Sequence, residues 1–117
     1  MATILVIDDQ KSMRLVIQFE LERAGYRVLT AEHGKHGLRV LEQEETDLIL
    51  VDLFMPEMDG LELIPWLRKR RPGIKIIAIS GGESNYLDAA KHLGAIGTLK
   101  KPFTAQELLD VVSSHLN

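Results

Sequence analysis

Asp8 and Asp9 follow an apolar run, Ile4-Leu5-Val6-Ile7, and Asp52 follows a second one, Leu48-Ile49-Leu50-Val51. Each acid stands where a buried strand would stop. If the two strands are neighbours in one parallel sheet, the three carboxylates converge at its C-terminal edge, where open α/β sheets place their ligand sites. Crowded carboxylates repel, so such a cluster persists at neutral pH most easily around a cation. Ligands of oxygen alone suit Mg2+ or Mn2+ rather than zinc. Asp9 taken alone has a plainer reading, as the cap of a following helix. That reading leaves the third acid, at the end of a different strand, unexplained.

The elements that must position these acids alternate along the chain: short β-branched apolar runs, then longer segments of helical period. Strands are predicted at about Thr3–Ile7, Arg27–Thr30, Leu48–Val51, Ile74–Ile79 and Ile96–Leu99, and helices at about Lys11–Ala24, Gly34–Gln43, Gly60–Arg70, Glu83–Leu93 and Ala105–Leu116. Gly25 and Gly94 end helices. Ser80 with Glu83, and Thr104 with Glu107, have capping-box spacing. Pro72-Gly73 turns the chain before the fourth strand. The first, third and fourth strands are almost wholly apolar, as strands buried on both faces should be. Five βα units of this kind predict a parallel sheet with helices on both faces.

The chain has 117 residues, enough for one domain with a sizeable core, and no cysteine, which excludes disulfides and thiolate metal sites and fits a reducing, cytoplasmic setting. Its net charge of -3 argues against nucleic acid as a partner. The one basic run, Arg68-Lys69-Arg70-Arg71, reads as the cationic end of a helix. No apolar stretch reaches membrane-spanning length. Met1-Ala2-Thr3 leads directly into a strand, so neither a signal peptide nor a separate output module is expected.

Asp8-Asp9, then Asp52 with Leu-Phe-Met-Pro56-Glu-Met-Asp59-Gly60 after it, then Ser80, then Lys101-Pro102-Phe103, resembles the receiver domain of two-component response regulators. Each motif alone is weak; the ordered set, spread over the whole chain, is specific. The resemblance implies a single receiver domain over 1–117, a doubly wound, flavodoxin-like sheet of five parallel strands in the order 2-1-3-4-5. It implies that Asp52 accepts a phosphoryl group, that Asp9, Asp52 and the backbone carbonyl of Phe54 ligate Mg2+ (or Mn2+), and that Asp8 acts through a water. It implies that Lys101, turned inward by a cis bond to Pro102, pairs with a phosphoryl oxygen. Ser80 would donate a hydrogen bond to the same group, its hydroxyl turning in from solvent on phosphorylation. The implied donor is a histidine kinase or phosphotransfer protein. The implied output is a contact with a downstream protein or a homodimer, sought first around Leu87, Thr98 and Val111. Such a chain catalyses only its own phosphorylation and slow dephosphorylation.

The chemistry agrees with those assignments. An aspartate is a weak nucleophile that needs a positioned, charge-neutralised phosphoryl group, and a divalent cation supplies that neutralisation. An ammonium is a compact point charge suited to a phosphoryl oxygen. Without their context, Lys101 reads as a surface lysine and Ser80 as a helix cap. Asp59 reads as a cap and Gly60 as steric relief.

Four features depart from the family pattern or fall outside it. Thr98 stands where most receivers carry Tyr or Phe, and a small residue cannot fill the space that aromatic takes. Phe54, two residues after the acceptor, would shield the acyl phosphate from water, while Gly82, two after Ser80, leaves an open rim. On the first helix, Met13, Val16, Ile17, Leu21 and Ala24 form the inward stripe, and Leu15 and Phe19 point away from it, as scattered exposed residues or as a docking patch for the phosphodonor. Pro65 should disturb the third helix, beside a Trp66 that is either half-buried or exposed for a partner. His33, His36, His92 and His115 lack metal spacing and read as surface residues. The rival functions are a degenerate receiver that only binds partners, a phosphohydrolase with an aspartyl nucleophile, and a flavin carrier. The intact acids, Ser80 and Lys101 disfavour the first. Phe54, where a phosphohydrolase needs a second acid, disfavours the second. The third lacks a phosphate loop after the first strand.

Overall fold

The computed structural model describes residues 1–82 and 84–116. Its elements run β1 (Thr3–Ile7), α1 (Lys11–Arg23), β2 (Arg27–Ala31), α2 (Gly34–Gln43), β3 (Leu48–Asp52), α3 (Gly60–Arg70), β4 (Lys75–Ser80), α4 (Ser84–Leu93), β5 (Gly97–Lys100) and α5 (Ala105–Leu116). The strands form one parallel sheet in the order β2-β1-β3-β4-β5.

The alternation of side chains along each strand divides the core in two. Ile4, Val6, Leu48, Leu50, Ile77 and Ile79 face Ile17 and Leu21 of α1 and Leu108 and Val112 of α5. Leu5, Ile7, Ile49, Val51, Ile76 and Ala78 face the layer of α2, α3 and α4, through Leu41, Leu63, Ile64, Leu67 and Ala90. Each fully buried Leu or Ile contributes about 2 kcal/mol, and β1 and β3 are buried on both faces. Charged side chains are therefore confined to the strand ends.

The strand limits differ from expectation by a residue or so. The acid Asp52 belongs to β3, β4 begins at Lys75, and β5 is shifted to Gly97–Lys100. Asp59 caps α3 by accepting the Glu62 N–H at 2.9 Å. Thr104 and Glu107 form the reciprocal box at α5, at 3.0 and 2.9 Å. The expected Ser80–Glu83 box lies outside the described residues, because Glu83 does. His33 does more than sit at the surface: its Nδ1 accepts the His36 N–H at 3.1 Å and caps α2.

Three expectations about side chains are refined. The disturbance expected at Pro65 stays local: α3 runs through it, and Leu63, Ile64 and Leu67, buried around it, offset the one hydrogen bond a proline cannot donate. Val16 and Ala24 are not part of the inward stripe of α1: Ala24 is exposed at the helix end, and Val16 is 55% exposed, beside Leu15 at 54% and Phe19 at 59%. The basic run is a tie between helices rather than only a charged helix end. Arg68 donates to the Leu93 carbonyl at the end of α4, Arg71 to the Leu41 carbonyl near the end of α2, and Arg70 pairs with Glu42 at 2.9 Å. Trp66 is exposed, with Lys69 and Arg70 over its ring. Among the described residues, no helix is long and apolar enough to cross a membrane.

Candidate functional site

Sheet register brings the acids together. Ile7 pairs with Val51, so Asp8 and Asp52, each one residue further on, leave the C-terminal edge side by side. β4 ends there with Ser80, which pairs with Lys100, and the next residue is Lys101. The Lys101 N–H donates to the Ser80 carbonyl at 2.9 Å, and the Lys101-Pro102 bond is cis, as the resemblance implies. Lys100 is exposed, while the Lys101 ammonium lies 3.2 Å from Asp52 Oδ2 and 3.6 Å from Asp8 Oδ2. Of the two adjacent lysines, Lys101 is the one that meets the acids.

Asp8 and Asp52 are 1% and 4% exposed. Asp8 Oδ1 accepts the Gln10 N–H at 2.9 Å and Asp52 Oδ1 accepts the Phe54 N–H at 3.1 Å. Asp8 Oδ2 is buried and makes no hydrogen bond. Burial pushes the Asp8 carboxyl above its ordinary value; Asp52 and Asp9 add to the push, and the Gln10 N–H and Lys101 oppose it. Asp9 is exposed and does not cap α1, whose cap position is Gln10 and whose first turn has no side-chain cap and no acid. Oxygen atoms of Asp8, Asp9 and Asp52 lie within 4.8 Å of one another, the one grouping of this kind among the described residues, and no histidine joins it. A buried orphan oxygen inside an all-oxygen donor set fits a hard divalent cation.

The backbone beside Asp52 explains Gly60. A Cβ there would lie 2.7 Å from the Asp52 carbonyl oxygen and 2.8 Å from Leu53 Cα, backbone that cannot yield. Ser80 departs from expectation. Its side chain is fully buried rather than turned to solvent, and its oxygen accepts the Gly82 N–H at 3.0 Å. Gly82 is not an open rim either: a Cβ on it would lie 2.5 Å from the Phe54 ring, which covers it. The Phe54 ring also meets Tyr86 of α4 edge-on, at 4.9 Å between centroids. Thr98 is half-buried. Leu87 and Val111 pack into the cores on opposite sides of the sheet, so they do not share a face. The exposed apolar residues of that region are Tyr86 and Ile96.

Two contributors stand outside the motif. Tyr86 of α4 pairs with Phe54 of the loop after β3, and Arg14 Nη1 donates to the Asp8 carbonyl at 2.8 Å. Only the place of Arg14 on the turn of α1 that follows the acids hints at its contact in the sequence.

A sequence model of the response regulator receiver domain matches residues 4–113. The chain belongs to that family. This receiver is 32% identical to sporulation initiation phosphotransferase F of Bacillus subtilis (strain 168), over 97% of its own length and 92% of the relative's. It is 35% identical to the alkaline phosphatase synthesis transcriptional regulatory protein PhoP of the same organism, over 90% of its own length but only 44% of that protein's. It spans less than half of such a regulator. Among solved structures, chemotaxis protein CheY4 of Vibrio cholerae superposes with a TM-score of 0.92 at 31% identity, covering 100% of the receiver and 99% of that chain.

Proposed function

We propose that this chain, over residues 1–117, is a phospho-accepting receiver in which Asp52 takes a phosphoryl group from a phosphohistidine on a histidine kinase or phosphotransfer protein. The observation that carries the reading is the Asp52 carboxylate itself, held between the Phe54 N–H and the Lys101 ammonium at the edge it shares with Asp8 and Asp9. In the transfer, an Asp52 oxygen bonds to phosphorus as the phosphorus–nitrogen bond breaks. The electron pair leaves with the imidazole, which regains a proton, and the product is an acyl phosphate.

Each side chain has one task. The oxygens of Asp9 and Asp52 and the Phe54 carbonyl would hold Mg2+ or Mn2+ directly, and Asp8 through a water. When bound, the cation neutralises charge on the phosphoryl oxygens. Lys101 pairs with Asp52 now and with a phosphoryl oxygen afterwards. The Ser80 oxygen accepts from Gly82, which leaves its own O–H free to donate to the phosphoryl group. Phe54, ring over Gly82, shields the acyl phosphate from water.

Leu15, Val16 and Phe19, exposed together on the helix that leaves the acidic edge, suit docking of the phosphodonor. The added charge, roughly -1.5 to -2 if aspartyl phosphate resembles other phosphoresidues, shifts the region around α4 and β5 between two populations. Output is then a contact with a downstream protein or a second copy, near Tyr86 and Ile96, in the cytoplasm. The absence of an acid at position 54 disfavours a phosphohydrolase.

The test is intact mass after incubation with acetyl phosphate and Mg2+. The wild type should gain one phosphoryl group, and both Asp52→Asn and omission of the cation should abolish the gain. An adduct of undiminished yield on Asp52→Asn would overturn the assignment.

A further inference from the structure

Two of the three acids at the sheet edge are fixed by direct bonds. Asp8 is held by the Gln10 N–H and by Lys101, and Asp52 by the Phe54 N–H and by Lys101. Asp9 has neither: no hydrogen bond or ion pair holds its carboxylate among the described residues, and it stands in solvent. Its oxygen nevertheless lies in the same cluster. Something must fix the peptide that carries it.

Arg14 is the group that reaches that peptide. Its backbone N–H bonds to the Gln10 carbonyl at 3.0 Å, within the first turn of α1, and its guanidinium turns back to the Asp8 carbonyl at 2.8 Å. The Asp8 carbonyl belongs to the Asp8–Asp9 peptide plane, so its direction sets the backbone from which the Asp9 side chain leaves. Helix stability does not account for a cation here. The first turn of α1 has no acid and already carries Lys11, and the positive end of a helix dipole disfavours further positive charge.

We propose that Arg14 is the positioning residue for the cation site: by holding the Asp8 carbonyl it aims the carboxylate of Asp9, a group with no support of its own. The inference rests on the proposed reading of the site as one for Mg2+ or Mn2+. Outer contacts that orient a ligand typically change metal affinity by about 10–100-fold when removed, and Arg14 belongs in that class.

The experiment is calorimetric titration of the chain with Mg2+, without phosphodonor, on wild type, Arg14→Met, Arg14→Lys, Asp9→Asn and the Arg14→Met/Asp9→Asn pair. Circular dichroism confirms that each is folded. Arg14→Met, which keeps the aliphatic stem, should weaken binding by about 10–100-fold, and Arg14→Lys should recover part of that. In the Asp9→Asn background, Arg14→Met should have little further effect, because its action runs through Asp9. A merely structural role would lower the melting temperature without this dependence on Asp9. Equal Mg2+ affinity of wild type and Arg14→Met, or an undiminished effect of Arg14→Met in the Asp9→Asn background, overturns the role of Arg14 alone. A wild type that binds no Mg2+ overturns the reading of the site as well.

Discussion

The site has a floor and a rim, and they are built by different means. Asp8, Asp52 and Ser80 form the floor. They are buried, and they sit at the ends of three neighbouring strands whose register leaves little freedom in where they point. Asp9, Phe54 and Tyr86 form the rim. They are exposed, and what orients them is local: a guanidinium on a carbonyl, a ring over a glycine, an edge-on aromatic contact. A strand end inherits its position from the whole core, whereas a loop inherits it from one or two contacts. The floor is therefore expensive to disturb and the rim is cheap to tune.

The largest effect should come from removing the cation of the floor. Lys101→Met leaves Asp8 and Asp52 facing each other with no positive partner. Removing one partner of a buried ion pair typically costs 3–5 kcal/mol, and because the lysine is partly open to solvent about 3 kcal/mol is expected here. Urea denaturation at neutral pH without divalent cation measures it, and Mg2+ should restore part of the loss. A Lys101→Met chain as stable as wild type would remove the distinction between floor and rim.

A second effect, intermediate in size, concerns pH. Because burial raises the folded Asp8 carboxyl above 3.8, the folded state binds a proton that the unfolded state has already lost. In that window stability falls as pH rises. The contribution of Asp8 is fully favourable below 3.8 and is lost as pH rises through the folded value. Without divalent cation, Asp8→Asn should melt higher than wild type at neutral pH and lack this part of the pH slope. Melting curves across mildly acidic to neutral buffers would show it.

At the rim the effect on stability should be smallest and the effect on kinetics clearest. Phe54→Asn forfeits an aromatic pair worth about 1 kcal/mol and uncovers Gly82. Loss of phosphate from the acyl phosphate, timed after removal of the donor, should speed up several-fold. An unchanged rate would mean that the ring covers the loop without covering the acceptor.

The same division explains what the sequence discloses. The floor follows from strand ends and the acids placed at them, because two apolar runs buried on both faces can belong only to the middle of a sheet. The capping roles of Asp59 and Thr104 follow from side-chain chemistry within one turn. On α1 the helical period places Ile17 and Leu21 inward and Leu15 and Phe19 outward, as they are, but it misplaces Val16 and Ala24, which sit at the margin of the stripe, where a period alone does not decide what meets the core. The closure of Gly82 by Phe54, the burial of Ser80 and the reach of Arg14 join residues distant in sequence or through backbone, and no spacing encodes them. The basic run at the end of α3 was legible as charge but not as a tie, because its partners, two carbonyls and the Glu42 carboxylate, belong to other helices.

Arg68 and Arg71 moor the tails of α4 and α2 at the end of the molecule away from the acids. On the proposed reading, a push delivered at the head of α4, where Tyr86 meets Phe54, would act on a rod moored at Leu93 and would tilt it rather than slide it, with most travel nearest Asp52. A partner reading this surface would sense an angle.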